Sequence, residues 1–323
     1  PYGGTQCFKE SKKDGNTLSF WLQNKGYKTA LIGKYLNGYH FVSPYVPRGW
    51  NKWVATTHDN VLKADNGRGF TKFSVSIDGG EMVNKTTDYS TDFLFDESLK
   101  FITDNNNRPF FLYLTPYAPH GPALPAKQDE GAFSDFRHRP KSYNEEDISD
   151  KKNPTLQRKE PLTVKQQEKL DEFARNQLRC LQSVDRGMKR MIDTLISKDL
   201  LENTIIVYTS DNGYLWGEHR VDKKQFPYEE AIRVPFVIYA PGINGGRVDR
   251  ENLILTIDIA PTILELAGIE KPQDVKFDGT SIVPVLKNPD TRLRDEFWIE
   301  FIPQDWLKEK GFYGIRTSQF KLI

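Results

Sequence analysis

Helical apolar spacing alternates with short β-branched or aromatic runs along most of the chain, and this alternation restricts the fold more than any other feature. After the cap candidates Asn16 and Thr17, Leu18, Trp21 and Leu22 share a helical face that Gly26 closes, and YKTALIG (27–33) follows as a strand. TDFLFDESLKFI (91–102) repeats the helical spacing and PFFLYLTPY (109–117) the strand. A longer helical stretch, 164–198, sets Leu170, Phe173, Ala174, Leu181, Val184, Met188, Met191 and Leu195 near a 3.6-residue period. TIIVYTS (204–210) and PFVIYAPG (235–242) are the next strands, and DIAPTILELAG (258–268) is a short helix with Pro261 in its first turn and Gly268 as its stop. The pattern predicts an α/β fold, a mixed and mainly parallel sheet with helices on both faces. Beyond DGTSIVPVL (278–286) it changes. DEFWIEFI and GFYGIRTSQFKLI read as strands with no helix between them, which predicts a small antiparallel C-terminal subdomain. The expected division is residues 1–288 for the main domain and 289–323 for the start of that subdomain. Residues 137–160, charged and poor in apolar side chains, read as an exposed insertion.

At 323 residues the chain can bury a large core, and its formal charge of +1 gives no electrostatic case for nucleic acid or a membrane surface. No apolar run approaches the roughly 20 residues of a membrane helix. Cys7 and Cys180 make no disulfide framework, and no Cys/His cluster has zinc spacing. The opening PYGGTQCFKESKK holds no apolar signal core, which leaves a cytosolic chain or one whose start lies upstream. Asn84-Lys85-Thr86 fits the N-glycosylation sequon, relevant only to a secreted protein.

In an open α/β sheet ligands collect outside the carboxyl ends of strands. Lys34 follows TALIG, His120 follows FFLYLTPYAP, Asp211 and Asn212 follow IIVYTS, and Lys224 lies farther along that last loop. Asp211 and Asn212 offer the hard oxygens that Ca²⁺ and Mg²⁺ accept, or else an Asx turn closed by Gly213. His120, between Pro119 and Pro122, is either a surface-turn histidine or a positioned imidazole able to protonate a leaving oxygen. Lys34 and Lys224 are either solvated or, turned inward beside a divalent cation, a site for a sulfate or phosphate ester. The second set of readings predicts that Lys34, His120, Asp211 and Lys224 gather at one sheet edge.

GYKTALIGKYLNGY, PFFLYLTPYAPHGP, TSDNGYLWGEHR, KKQFPYEEAIRVPFVIYAPGI, TIDIAPTILELAGI and DGTSIVPVL resemble successive blocks of the type I sulfatases, in the family's order. The GKYLN form is similar to the branch holding N-acetylglucosamine-6-sulfatases, heparan endosulfatases and bacterial arylsulfatase-like enzymes. The resemblance implies an alkaline phosphatase-like α/β sandwich. It implies that Asp211 and Asn212 bind Ca²⁺, with Mg²⁺ the alternative, that Lys34 and Lys224 contact the sulfate, and that His120 contacts it and assists departure of the leaving group. His219 is a further candidate for substrate binding. The family's nucleophile is a formylglycine made from a cysteine in a Cys-x-Pro-x-Arg type of motif. Cys7 precedes FKESK and Cys180 precedes LQSVD, so the nucleophile and the family's paired acidic metal ligands are expected upstream of this sequence. The histidine that many members carry two residues after the first lysine is Leu36 here, a mark shared with the GKYLN branch. The implied partners are a sulfated carbohydrate or small aryl sulfate and a formylglycine-generating or anaerobic maturation enzyme, and the implied location is secreted, periplasmic or lysosomal. Two other readings stand beside this one: a phosphate or phosphonate monoester hydrolase of the same superfamily, and a non-catalytic sulfatase-like binding protein. Specificity is expected from loops 40–70 and 121–160, where His40, Trp50, Trp53 and His58 either line a pocket or pack.

Overall fold

The computed structural model describes residues 4–57, 67–151, 154–243, 246–303 and 311–323. Its elements through the first half are α1 (Gly4–Ser11), α2 (Leu18–Asn24), β1 (Lys28–Lys34), β2 (Lys52–Thr57), β3 (Phe73–Ile77), β4 (Val83–Lys85), α3 (Ser90–Asp104) and β5 (Phe110–Thr115). The rest comprises α4 (Pro154–Gln157), α5 (Val164–Ser197), β6 (Ile206–Thr209), α6 (Glu229–Ile232), β7 (Phe236–Tyr239), α7 (Ile259–Leu266), α8 (Val283–Lys287), β8 (Glu296–Phe301), β9 (Phe312–Thr317) and β10 (Lys321–Leu322). The chain forms two units, Pro1–Phe136 with Phe173–Leu201, and Arg137–Glu172 with Glu202–Ile323.

The first unit is built on a five-stranded sheet of order β4-β3-β2-β1-β5. It is mixed, as the alternating pattern predicts: β1 runs parallel to β2 and β5, whereas β2, β3 and β4 pair antiparallel. Side chains alternate across a strand, so β1 and β2 feed two cores. Ala30, Ile32 and Val54 pack with Leu94 and Phe101 of α3 on one face, while Leu31, Trp53 and Ala55 pack with Tyr39 and Val42 on the other. Burial on both faces explains the continuous apolar run at 30–32. Thr17 caps α2, its hydroxyl accepting from the Phe20 amide at 3.4 Å, and Gly26 follows with φ +89°. Strands β2 to β4 are absent from the sequence reading, because their short runs sit among Gly, Pro and Trp residues that resemble a long loop.

The buried stripe of α5 within this unit runs through Ala174, Cys180, Val184, Met191 and Leu195. Cys180, not Leu181, occupies the inward position, and burial pushes its thiol up to about 12. Gly187 permits close approach of α5 to α3, since a Cβ there would stand 2.3 Å from the Phe95 ring. Trp53 is no pocket residue: it is 1 % exposed, its indole N–H donates to the Tyr39 hydroxyl at 2.8 Å, and its ring meets Tyr35 edge-on at 4.9 Å. Trp50 packs against the same cluster. His40 is half-buried with its ring 3.9 Å from that of Phe41, and His58 lies outside the described residues. Asn84 is exposed on the edge strand β4, where its side-chain oxygen accepts from Ser74 at 2.6 Å.

In the second unit β6 and β7 pair antiparallel, Ile206 opposite Tyr239 and Thr209 opposite Phe236. The expected antiparallel C-terminal sheet is present in the order β10-β9-β8. Its register sets Trp298, Ile315 and Leu322 side by side on one face. Arg316 and Lys321, on the other face, reach Glu229 of α6 at 3.0 and 3.3 Å. Asp258 ties α7 to its surroundings. Its buried carboxylate accepts from the amides of Leu255 and Thr280 at 2.8 Å and from both terminal nitrogens of Arg294 at 2.6 Å.

Segment 137–160 departs from a plain exposed insertion. Arg139 pairs with both oxygens of Asp171 at 2.7 Å and stacks 4.1 Å over the Tyr143 ring, His138 bonds Glu218, and Leu156 is buried with Leu215, Val221 and Phe226. The charges meet opposite charges within the unit, and one leucine anchors the segment.

Candidate functional site

Lys34 and His120 belong to the first unit. Lys34 ends β1, immediately after Gly33, whose φ of +130° and contact with β5 exclude any larger residue: a Cβ would stand 2.1 Å from the Thr115 carbonyl oxygen. Thr115 fixes the strand end by donating its hydroxyl to the Lys34 carbonyl at 2.8 Å. The Lys34 side chain borders a small cleft with Thr56, Thr57, Ser90 and Tyr117, of about 10 Å³, room for a single water. Tyr117 connects this cleft to His120, with ring centroids 4.8 Å apart. The Gly121 carbonyl accepts from the Tyr117 hydroxyl and from the His120 Nδ1–H, both at 2.8 Å. Nδ1 is thereby committed as a donor to the main chain.

Asp211, Asn212, His219 and Lys224 belong to the second unit. Asp211 and Asn212 follow β6, and the loop then folds back on itself. Leu215 N–H donates to the Lys223 carbonyl at 2.9 Å and Gly217 N–H to that of Val221 at 2.8 Å. Leu215, Val221, Phe226 and Ala231 are buried beneath it. Gly213 lies flat against α6: its N–H donates to Ala231 at 2.8 Å, and a Cβ would stand 2.0 Å from the Glu230 carbonyl. This fold-back closes twelve residues of separation, and the Lys224 ammonium donates to the Asn212 side-chain oxygen at 3.0 Å. The Ser210 hydroxyl and the Asn212 side-chain amide hold main-chain carbonyls at 3.0 and 2.9 Å, while Asp211 is exposed.

His219 stands 11 % exposed in the middle of the loop. Its ring stacks on Tyr228 at 3.8 Å, and its Nδ1–H donates to Glu145 at 2.8 Å. Lys151 holds the same carboxylate oxygen at 3.0 Å. Sequence reading missed Glu145 and Lys151 as neighbours of this loop, and His138 as the partner of its Glu218. The only signal was the density of charge in 137–160, which complements the charges at 218–220.

An Asp carboxylate next to an Asn amide oxygen has the hard-donor chemistry of a Ca²⁺ or Mg²⁺ site, and an amide oxygen has two lone pairs, enough for a cation and the Lys224 ammonium together. The pair supplies two of the six to eight oxygens Ca²⁺ takes. Among the described residues no group of three or more His, Cys, Asp or Glu side chains completes a metal site.

Residues 1–269 match the family model described as Sulfatase. The chain belongs to the sulfatase family. Residues 217–323 also match the model described as N-sulphoglucosamine sulphohydrolase, C-terminal. The chain is 33 % identical over 322 residues to an extracellular sulfatase SULF-1 homolog of Drosophila melanogaster, covering 97 % of this sulfatase-family chain and 28 % of the relative. It is 35 % identical over 289 residues to the N-acetylglucosamine-6-sulfatase of Bos taurus, covering 85 % and 49 %. It therefore spans less than half the length of either. Among solved structures, BT4656 "in complex with its substrate D-Glucosamine-2-N, 6-O-disulfate" superposes with a TM-score of 0.70 at 25 % identity, covering 94 % of this chain and 72 % of that one. The alkaline phosphatase-like sulfatase fold, with its mixed sheet, flanking helices and extra C-terminal antiparallel sheet, is the fold of this chain.

Proposed function

We propose that the protein is a sulfuric ester hydrolase that releases inorganic sulfate from a sulfated sugar, with aryl sulfates as simpler substrates. One observation carries the reading: the loop after β6 brings Lys224 onto Asn212, beside Asp211, so that a fixed cation adjoins two hard oxygen donors. Asp211 and Asn212 would hold Ca²⁺, or Mg²⁺ in its place. Lys34 and Lys224 neutralise charge on the sulfate oxygens, and preorganised charges of this kind stabilise a transition state more than a solvated ground state. His120 passes a proton from Nε2 to the departing oxygen, and His219, fixed by Glu145 and Tyr228, contacts the substrate.

When bound, the divalent cation polarises the sulfate, and a formylglycine hydrate, taken to lie outside residues 1–323, supplies the attacking oxygen. Neither cysteine of this sequence suits that role: Cys180 is buried in the core beside Tyr117 and Phe70, and Cys7 lies outside the required motif. The accompanying partner would be a formylglycine-forming maturation enzyme, and the expected location is secreted, periplasmic or lysosomal, as the extracellular relative suggests. No helix of the described residues is long and apolar enough to cross a membrane.

The test is sulfate release by the full-length gene product from N-acetylglucosamine 6-sulfate. Lys224→Ala should lower turnover by about 10²–10³, the usual cost of removing one preorganised charge. A preference for phosphate monoesters over sulfate esters would transfer the reading to the phosphohydrolases. Turnover of neither, with the maturation enzyme present, would leave the non-catalytic binding reading.

A further inference from the structure

Within the second unit the C-terminal sheet meets the loop after β6 through a carboxylate. β9 and β10 form a tight hairpin: the Thr317 N–H donates to the Phe320 carbonyl at 2.8 Å, and the Thr317 hydroxyl accepts from the Phe320 amide at 2.9 Å. This turn sets Arg316 opposite Lys321, and residues directly opposite share one face of a sheet. Both cations donate to the same oxygen, Oε1 of Glu229. Burial opposes ionisation of Glu229, but Arg316 and Lys321 outweigh it and hold its carboxyl below the usual range. Glu229 is the first residue of α6, a helix of four residues. A single turn has too few hydrogen bonds to hold itself, so tertiary contacts set its place. Ala231 is buried, its carbonyl accepts from the Gly213 N–H at 2.8 Å, and Glu229 takes the two cations of the hairpin. Tyr228 precedes this turn directly. Its ring stacks on His219 with centroids 3.8 Å apart and planes 25° from parallel, and the Lys321 ammonium stands 6.0 Å from the same ring centroid.

We propose that Glu229, Arg316 and Lys321 are positioning residues for His219: the C-terminal hairpin, acting through Glu229 and the Tyr228 ring, sets the plane of the imidazole that meets the substrate. Glu145 holds His219 at Nδ1, and one hydrogen bond leaves a ring able to tilt about it. The Tyr228 stack removes that freedom, provided Tyr228 is itself fixed. Glu229 is 43 % exposed, and ion pairs at such sites add little to stability, so loss of this one should loosen the imidazole and leave the fold intact. The consequence for substrate rests on the sulfatase reading, whereas the placing of the imidazole does not.

Two measurements on the full-length protein test this. The first follows the carbon-bound ring protons of His219 by NMR, identified by their loss in His219→Asn. Stacking on Tyr228 shifts them upfield, and Glu229→Ala and Arg316→Ala should each move them toward the positions of a solvated histidine. Glu229→Gln keeps an oxygen for the Arg316 Nε–H and threatens folding least, and it should give a smaller shift in the same direction. Arg292→Ala removes an exposed ion pair with Glu251 elsewhere in the unit and should leave the resonances in place. The second measurement is steady-state hydrolysis of N-acetylglucosamine 6-sulfate. Glu229→Ala should raise KM about three- to tenfold with kcat nearly unchanged, and should add little in a His219→Ala background, because residues acting through one contact are not additive. Resonances unmoved by both Glu229→Ala and Arg316→Ala, equal movement in Arg292→Ala, or additive effects of Glu229→Ala and His219→Ala on KM would each overturn the proposal. Resonances that move as expected in a protein that releases no sulfate would uphold the placing of the imidazole, and the sulfatase reading alone would fail.

Discussion

His120 is held at one ring nitrogen by a main-chain oxygen that also holds Tyr117, so the imidazole reaches its surroundings with a fixed orientation rather than as a mobile surface group. That commitment gives its proposed role a specific signature. A sugar alkoxide needs a proton as it departs, while a nitrophenolate does not, so His120→Ala should slow sugar sulfate hydrolysis by about 10²–10⁴ and nitrophenyl sulfate hydrolysis far less. Side-by-side sulfate release with both substrates checks it. Equal slowing would assign His120 to binding instead. Lys224 and Lys34 differ at this scale: one donates to the Asn212 oxygen, the other stands at its strand end bordering a small cleft.

Among the elements, β1 bears the closest tolerances. Gly33 sits against β5 with a positive φ, and both facts oppose a methyl group. Gly33→Ala should therefore cost about 3 kcal/mol or more, read as a lowered denaturation midpoint with an unchanged m-value. A variant as stable as the parent would show that β5 can yield. The strands that sequence made legible, β1 and β5, are those with long apolar runs between helices of clear period. β2 to β4 were hidden because pairing between them, not their own periodicity, makes KWVATT and FSVSI strands. In α5 the period was right, but Cys180 took the place read for Leu181, since a small apolar thiol fits a crowded interior as well as a leucine does. The site divided in the same way. Asp211, Asn212 and Lys224 could be picked out because their motif is local, whereas Glu145 meets His219 from 74 residues away and nothing in either stretch names the other.

For the whole molecule, metal linkage is the property most open to measurement. If Asp211 and Asn212 hold Ca²⁺, the full-length protein gains stability by mass action, about 2.7 kcal/mol at a hundredfold excess over Kd. The thermal midpoint should rise with Ca²⁺ concentration, and Asp211→Ala should abolish most of that rise. Identical shifts in the two proteins would remove the pair from the metal site. The exposed face of the C-terminal sheet, with Trp298 and Leu322 adjacent to Ile315, adds a large apolar surface to a chain whose net charge is only +1, which matters for any such experiment at high concentration. The burial of Cys180 has a practical corollary of another kind. Of the two cysteines in this sequence, one is sealed in the core with its thiol held protonated, and the other, Cys7, is exposed on α1. Within residues 1–323 a maleimide dye added at neutral pH would therefore mark Cys7 on α1 and spare Cys180.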